Sequence, residues 1–199
     1  MRLADARRDH YRRLAKDQGY RSRAAYKLKQ INDSYRILKR GNRIVDIGCA
    51  PGGWVQVATK EVGPGGRVVG IDLKEVEPVA DSTILQGSID DPVAVGKIIE
   101  ALGAEKADVI LSDLAPNVSG MWEVDHARQI DLTRSALALA KQVLKVGGNA
   151  VFKVFEGEFL NELKGEMKAS FGKVLVSKPT ASRQESSELY LVCVGFRHF

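Results

Sequence analysis

Apolar residues recur along this chain in two rhythms, which take turns from residue 43 onward. Short runs rich in Val and Ile predict strands at 43–47, 67–71, 83–86, 107–112, 148–155, 173–178 and 188–196. Between them, apolar positions three and four residues apart predict helices at 53–62, 92–102, 126–146 and 158–170. Turns are marked by Gly63-Pro64-Gly65-Gly66 and by Gly147-Gly148. Strand and helix in alternation imply an α/β fold, a mostly parallel sheet covered by helices on both faces. The last two strands are joined by Pro179 to Ser187, which has no helical spacing and is too short for a helical crossover. The final pair is therefore expected to be antiparallel. The fold class is a seven-stranded sheet, parallel except for one late antiparallel strand.

Two further helices are expected ahead of this body. Residues 4–16 mix charged and small apolar residues, Gly19-Tyr20-Arg21 interrupts them, and Ser22 can cap a second helix reaching about Ser34. On that second helix Ala24, Leu28 and Ile31 form a buried stripe, and Lys27 falls on the same stripe. A lysine facing inward either snorkels out or has a task, and both options stay open. The domain expectation is a basic helical extension, residues 1–42, packed on a single body, residues 43–199.

Composition excludes more than it selects. With 44% hydrophobic and 28% charged residues, the 199-residue chain has ordinary globular proportions. No apolar run approaches a membrane span, and the start, Met1 to Arg8, lacks the apolar core of a secretory signal. Cys49 and Cys193 match no metal or redox spacing, so a reducing, cytoplasmic setting is expected. His10, His126 and His198 are scattered and no carboxylate cluster has ligand spacing, so no metal is implied. The net charge of +5 is unevenly placed: residues 1–43 hold 14 Lys/Arg against 4 Asp/Glu, leaving the remainder mildly acidic. A basic head on an acidic body points to a polyanion, and nucleic acid is favoured over a merely solvated helix.

The stretch Asp46-Ile47-Gly48-Cys49-Ala50-Pro51-Gly52-Gly53-Trp54 joins the first strand to its helix. Glycines let backbone approach a ligand closely, and the carboxyl ends of parallel strands form the usual crevice. A dinucleotide fingerprint needs a glycine where Ala50 stands, which weakens a pyrophosphate site. A loop opening on an acidic residue suits the amino-acid end of S-adenosylmethionine instead. Asp72, ending the second strand, can accept from ribose hydroxyls, and Ser88 lies where an adenine edge would be. Trp54 is either core filler or a wall of the cofactor pocket. Cys49 has no base arranged beside it and is read as packing.

Candidate chemistry comes from two further strands. Val109 to Asn117 ends a buried strand in Asp113 and a proline turn, without the aromatic that would clamp a planar base for methylation of an exocyclic amine. Val151-Phe152-Lys153-Val154-Phe155 places a lysine among large apolar residues, where it needs a buried partner or a catalytic task. Glu188 opens the last strand. Lys27, Asp113, Lys153 and Glu188, together with Gly-Gly-Trp, Asp-Leu-Ala-Pro-Asn and Phe-Lys-Val-Phe, resemble the FtsJ/RrmJ family of RNA 2′-O-ribose methyltransferases and its Lys-Asp-Lys-Glu tetrad. The resemblance runs from Arg21 to Tyr190.

That resemblance implies a Rossmann-like fold and S-adenosylmethionine as cofactor. It implies cofactor contacts at Asp46, Gly48, Gly52, Gly53, Trp54, Asp72, Ser88 and Asp113; the family often has aspartate where this chain has Ser88. Lys153 is the candidate base, or, if charged, the stabiliser of the alkoxide while water takes the proton. Lys27 and Glu188 orient the ribose, and Asp113 links cofactor and substrate. The implied substrate is a uridine in large-subunit ribosomal RNA, acted on by a monomer. The rivals are a tRNA anticodon-loop methyltransferase, a non-catalytic RNA-binding assembly factor, and, more distantly, a small-molecule NAD enzyme.

Overall fold

The computed structural model describes residues 3–182 and 186–197, with side chains from His10 onward. The middle of the connection before the last strand (183–185) and His198 lie outside the described residues. Seven strands form one sheet: β1 (Arg43–Ile47), β2 (Arg67–Asp72), β3 (Thr83–Gln86), β4 (Ala107–Ser112), β5 (Leu144–Phe155), β6 (Phe171–Ser177) and β7 (Glu188–Phe196). The helices are α1 (Leu3–Asp17), α2 (Ala24–Tyr35), α3 (Gly53–Val62), α4 (Pro92–Ala101), α5 (Trp122–Val143) and α6 (Leu160–Ser170).

The strand order is β3-β2-β1-β4-β5-β7-β6. The pairs from β3 to β5 are parallel, and β7 runs antiparallel to both β5 and β6. The antiparallel strand thus lies inside the sheet. Its register sets Lys153 opposite Tyr190 and Phe155 opposite Glu188. Because alternate residues of a strand share a face, Glu188 and Tyr190 project to the same side.

Each face of the sheet has its own apolar cluster. On one, α4, α5 and α6 cover Val45, Ile47, Ile110 and Phe152. On the other, Ala25, Leu28 and Ile31 of α2 join Val55 and Ala58 of α3 over Ile44, Leu111, Val151 and Tyr190. The inward stripe of α2 is therefore part of the main core. α1 rests on a smaller cluster of Ala15, Tyr26 and Ala181, with Tyr11, Leu14 and Tyr20 against it.

Three local expectations need correction. Ser22 does not cap α2: the cap position is Arg23, whose side chain makes no capping hydrogen bond to the helix, and Ser22 Oγ is buried and unpartnered among the described residues. Its hydroxyl faces Gly53 instead of the helix amides; a Cβ on Gly53 would lie 2.5 Å from it. α5 begins at Trp122, four residues before the expected start, since Asp125 gathers the preceding turn by accepting from the Ser119 and Gly120 amides. β5 begins at Leu144, the Gly147-Gly148 pair lying within it beside a register shift against β4.

Candidate active site

The turn after β1 is shaped by glycines at two left-handed positions, Gly48 (φ 72°) and Gly52 (φ 106°). A Cβ on Gly48 would come within 2.6 Å of Leu114, so the glycine lets the loop after β4 close over this turn. Helix α3 starts here with no side-chain cap. Its first-turn amides, unsatisfied within the helix, face the crevice side of the sheet and suit a carboxylate. Arg21 fastens the turn from outside, donating to the carbonyls of Pro51 (3.1 Å), Glu77 (2.6 Å) and Pro78 (2.6 Å).

A cavity of about 220 Å³ opens beside this turn, lined among others by Ser22, Lys27, Asp46, Gly48, Gly53, Trp54 and Asp113. Asp46 is fully buried in β1, and both carboxylate oxygens lack a hydrogen-bond partner among the described residues. Burial, then the neighbouring charges of Asp113 and Asp72, hold this carboxyl well above the usual range. A buried carboxylate left unsatisfied is costly, and a cationic amino group entering the cavity would satisfy it. The orphaned Ser22 hydroxyl offers a second polar contact. These residues fit the amino-acid end of S-adenosylmethionine.

Of the other expected cofactor residues, Asp72, Gly52 and Ser88 do not line this cavity. Asp72 accepts from Ala50 N–H and Lys74 N–H, both at 2.9 Å, which bonds it to the glycine turn and leaves each oxygen a further acceptor site. Gly52 lies under the Arg21 side chain. Ser88 Oγ accepts from the Asp90 amide at 3.2 Å within its own loop. Trp54 combines both of its expected roles: its ring is buried, its Nε1 donates to Ala24 C=O at 2.8 Å, and it borders the cavity. Burial and the charges of Asp46 and Asp72 push the Cys49 thiol up to about 12, so it is no nucleophile at neutral pH.

The four tetrad residues, drawn from α2, the residue following β4, β5 and β7, meet in one hydrogen-bonded chain. Lys153 is 7% exposed; its Nζ donates to Asp113 C=O at 2.6 Å and lies 3.2 Å from Asp113 Oδ1. Lys27, 8% exposed, forms a close ion pair with Glu188 Oε1. The Tyr190 hydroxyl joins the two pairs, 2.9 Å from Asp113 Oδ1 and 3.1 Å from Glu188 Oε1. Burial raises the Tyr190 pKa well above its usual value, reinforced by Asp113 and Glu188, so the hydroxyl stays protonated and donates. Ser182 Oγ also donates to Glu188 Oε1, at 3.2 Å.

Sequence reasoning missed Tyr190, Ser182 and Arg21. The signal for Tyr190 was present: it stands two residues after Glu188, on the same strand face. Behind the tetrad, Gln129 Nε2 donates to Lys153 C=O (2.9 Å) and Leu114 C=O (3.2 Å), fastening β5 and the loop after β4 to α5. On the other side, a cavity of about 690 Å³ lined by Arg12, Lys16, Tyr20, Arg21 and Arg23 shares Ser22 and Arg23 with the first. Among the described residues no cluster of His, Cys, Asp or Glu could hold a metal, and no helix is long and apolar enough to cross a membrane.

Residues 20–196 match the family model of the FtsJ-like methyltransferases. The chain is 50% identical to ribosomal RNA large subunit methyltransferase E of Cenarchaeum symbiosum, over 99% of this chain and all of that one. It is also 50% identical to the protein of the same name from Nitrosopumilus maritimus, covering 98% and 99% of the two chains. Among solved structures, a Plasmodium falciparum chain described as a ribosomal RNA methyltransferase superposes with a TM-score of 0.81. It is 34% identical, and the match covers 90% of this chain and all of that one.

Proposed function

The chain belongs to the FtsJ-like methyltransferase family, and on that premise we propose that it methylates the ribose 2′-oxygen of a uridine in large-subunit ribosomal RNA, with S-adenosylmethionine as donor. The observation that carries this reading is the chain Lys153–Asp113–Tyr190–Glu188–Lys27 beside a cavity floored by an unpartnered carboxylate. A protein that only bound RNA would have no use for two buried lysines so arranged.

Bound S-adenosylmethionine supplies a sulfonium-activated methyl group. Asp46 would hold its amino group, Gly48, Gly52 and Gly53 would admit its amino-acid end, Trp54 would wall it, and Asp72 and Ser88 would reach its nucleoside. The protein's own task is to align the 2′-hydroxyl and take its proton. Lys153 is the base, accepting that proton when neutral; in its charged form it would steady the developing alkoxide instead. Asp113 places Lys153 through both its carbonyl and its carboxylate. Lys27 and Glu188 orient the ribose. The reading takes the protein to be a cytoplasmic monomer whose helical extension, residues 1–42, grips RNA for the body, residues 43–199.

The test is transfer from labelled S-adenosylmethionine to unmodified large-subunit rRNA, free and in assembled subunits, and to tRNA, followed by mapping of the methyl. Lys153→Ala should lower transfer at least ~100-fold while cofactor affinity, measured by calorimetry, stays within about twofold. Transfer to tRNA alone would replace the ribosomal substrate, and transfer to no RNA would overturn the enzyme.

A further inference from the structure

Four aromatic rings leave the tetrad in a row. Phe155 lies opposite Glu188 in the β5–β7 register and two residues beyond Lys153. Trp122 packs near-parallel to Phe155 (centroids 5.9 Å, 26°) and to His126 (5.9 Å, 18°), and His126 packs on Phe159 (5.5 Å, 7°). The inner ring is pinned. His126 Nε2 accepts from the Phe159 amide at 3.1 Å, and Gly157 is the one residue type that fits, since a Cβ there would meet His126 at 2.6 Å.

Two rings of the row reach solvent. Trp122, although flanked by Phe155 and His126, is 45% exposed, and the end ring Phe159 is 38% exposed, with Met121 and Val118 exposed beside them. Neither the methyl-transfer chain nor the apolar core accounts for large side chains held at this solvent-facing edge. The exposed charges nearest these rings are Glu123, Glu156 and Glu158, with Arg128 of opposite sign further along α5. The three carboxylates would repel phosphates, whereas the cationic cavity of Arg12, Lys16 and Arg21 lies on the α2 side of the tetrad.

We propose that Trp122 and Phe159, backed by His126 and Phe155, form a stacking platform for unpaired RNA bases flanking the ribose to be methylated. This rests on the RNA-methyltransferase reading above. A nucleotide seated at the tetrad has its backbone drawn toward the basic cavity, and its neighbour's base falls on the ring row. Aromatic rings serve this role for any base because every base has a π face. The platform adds hold on a single-stranded substrate that does not weaken with salt.

The experiment compares wild type with Trp122→Ala and Trp122→Phe, binding a fluorescent oligouridylate and a chain of the same length made abasic. Trp122→Ala should weaken oligouridylate binding about tenfold, leave abasic-chain binding and the salt slope unchanged, and raise KM for rRNA without raising KM for the cofactor. Trp122→Phe should retain most of the affinity. Circular dichroism checks the fold, and Phe159→Ala gives the same readout if Trp122→Ala does not fold. Equal losses on both chains, or none on oligouridylate, overturn the platform. A loss seen only toward assembled subunits assigns the rings to a protein partner and overturns it too. If wild type transfers no methyl to any RNA, the function fails; if it does and Trp122→Ala matches it, the platform alone fails.

Discussion

Asp46 is fully buried and Glu188 half-buried, and their surroundings drive the two carboxyls in opposite directions. Burial raises the Asp46 carboxyl, and Asp113 and Asp72 raise it further. It binds a proton more readily folded than unfolded, so stability falls as pH rises above the ordinary carboxylate range. Asp46→Asn should therefore raise the melting temperature of the ligand-free protein near neutral pH, and less so in acid, while weakening S-adenosylmethionine binding by calorimetry. For Glu188, burial also pushes upward, but the charge and hydrogen bond of Lys27, then Lys153 and Tyr190, outweigh it and leave the carboxyl low. Its contribution is complete above the ordinary glutamate range and is lost as pH falls through the lowered value. Removing one partner of a buried pair costs about 3–5 kcal/mol. Denaturant titration of Glu188→Gln should show a loss of that order at neutral pH, shrinking in acid. Asp46 was legible in the sequence, as the acidic residue opening a glycine turn. Tyr190 was legible only as a neighbour of Glu188 on its strand face; its reach to Asp113 depends on β7 pairing with β5, a contact between residues far apart in the chain.

At the level of elements, α2 carries Lys27 and must be held against α3. Trp54 Nε1 to Ala24 C=O and Asn32 Nδ2 to Glu61 Oε2 (3.1 Å) make that link from α3. Trp54→Phe keeps the packing on Tyr190, 5.7 Å away, and removes the first bond. It should cost about 1–2 kcal/mol in denaturant titrations and lower kcat more than it changes cofactor affinity, because Lys27 moves with its helix. The elements themselves were readable from period alone, since β-branched runs and helical stripes differ clearly. Boundaries that depended on side chains reaching across a turn were not. Asp125 extends α5 backward by bonding the 119–120 amides, and Ser22 turns away from the helix it was expected to cap. Sequence spacing also foresaw an antiparallel last strand but not its seat between β5 and β6.

Across the whole molecule, charge is unevenly divided along the chain. The basic N-terminal segment presents Arg12 and Lys16 on a large open cavity adjoining the one beside the glycine turn, and the rest of the chain is mildly acidic. Phosphate binding releases counterions, so each phosphate neutralised steepens the dependence of affinity on salt. Arg12→Gln with Lys16→Gln should weaken rRNA binding at low salt and reduce the slope of log K against log salt by about one for each phosphate no longer neutralised. Filter binding across a salt series reads both. An unchanged slope would move the phosphate grip elsewhere.

The pairing of Lys27 with Glu188 joins residues 161 positions apart, and Tyr190 reaches Asp113 across 77. No local segment can assemble such a site, for nearly the full chain is the loop that the clasp closes. Activity is thus a property of the folded whole and serves as a reporter of it. Heat or denaturant should extinguish methyl transfer and the far-ultraviolet signal along one curve, without an active partly unfolded species, as expected of a site whose parts come from opposite ends of the chain.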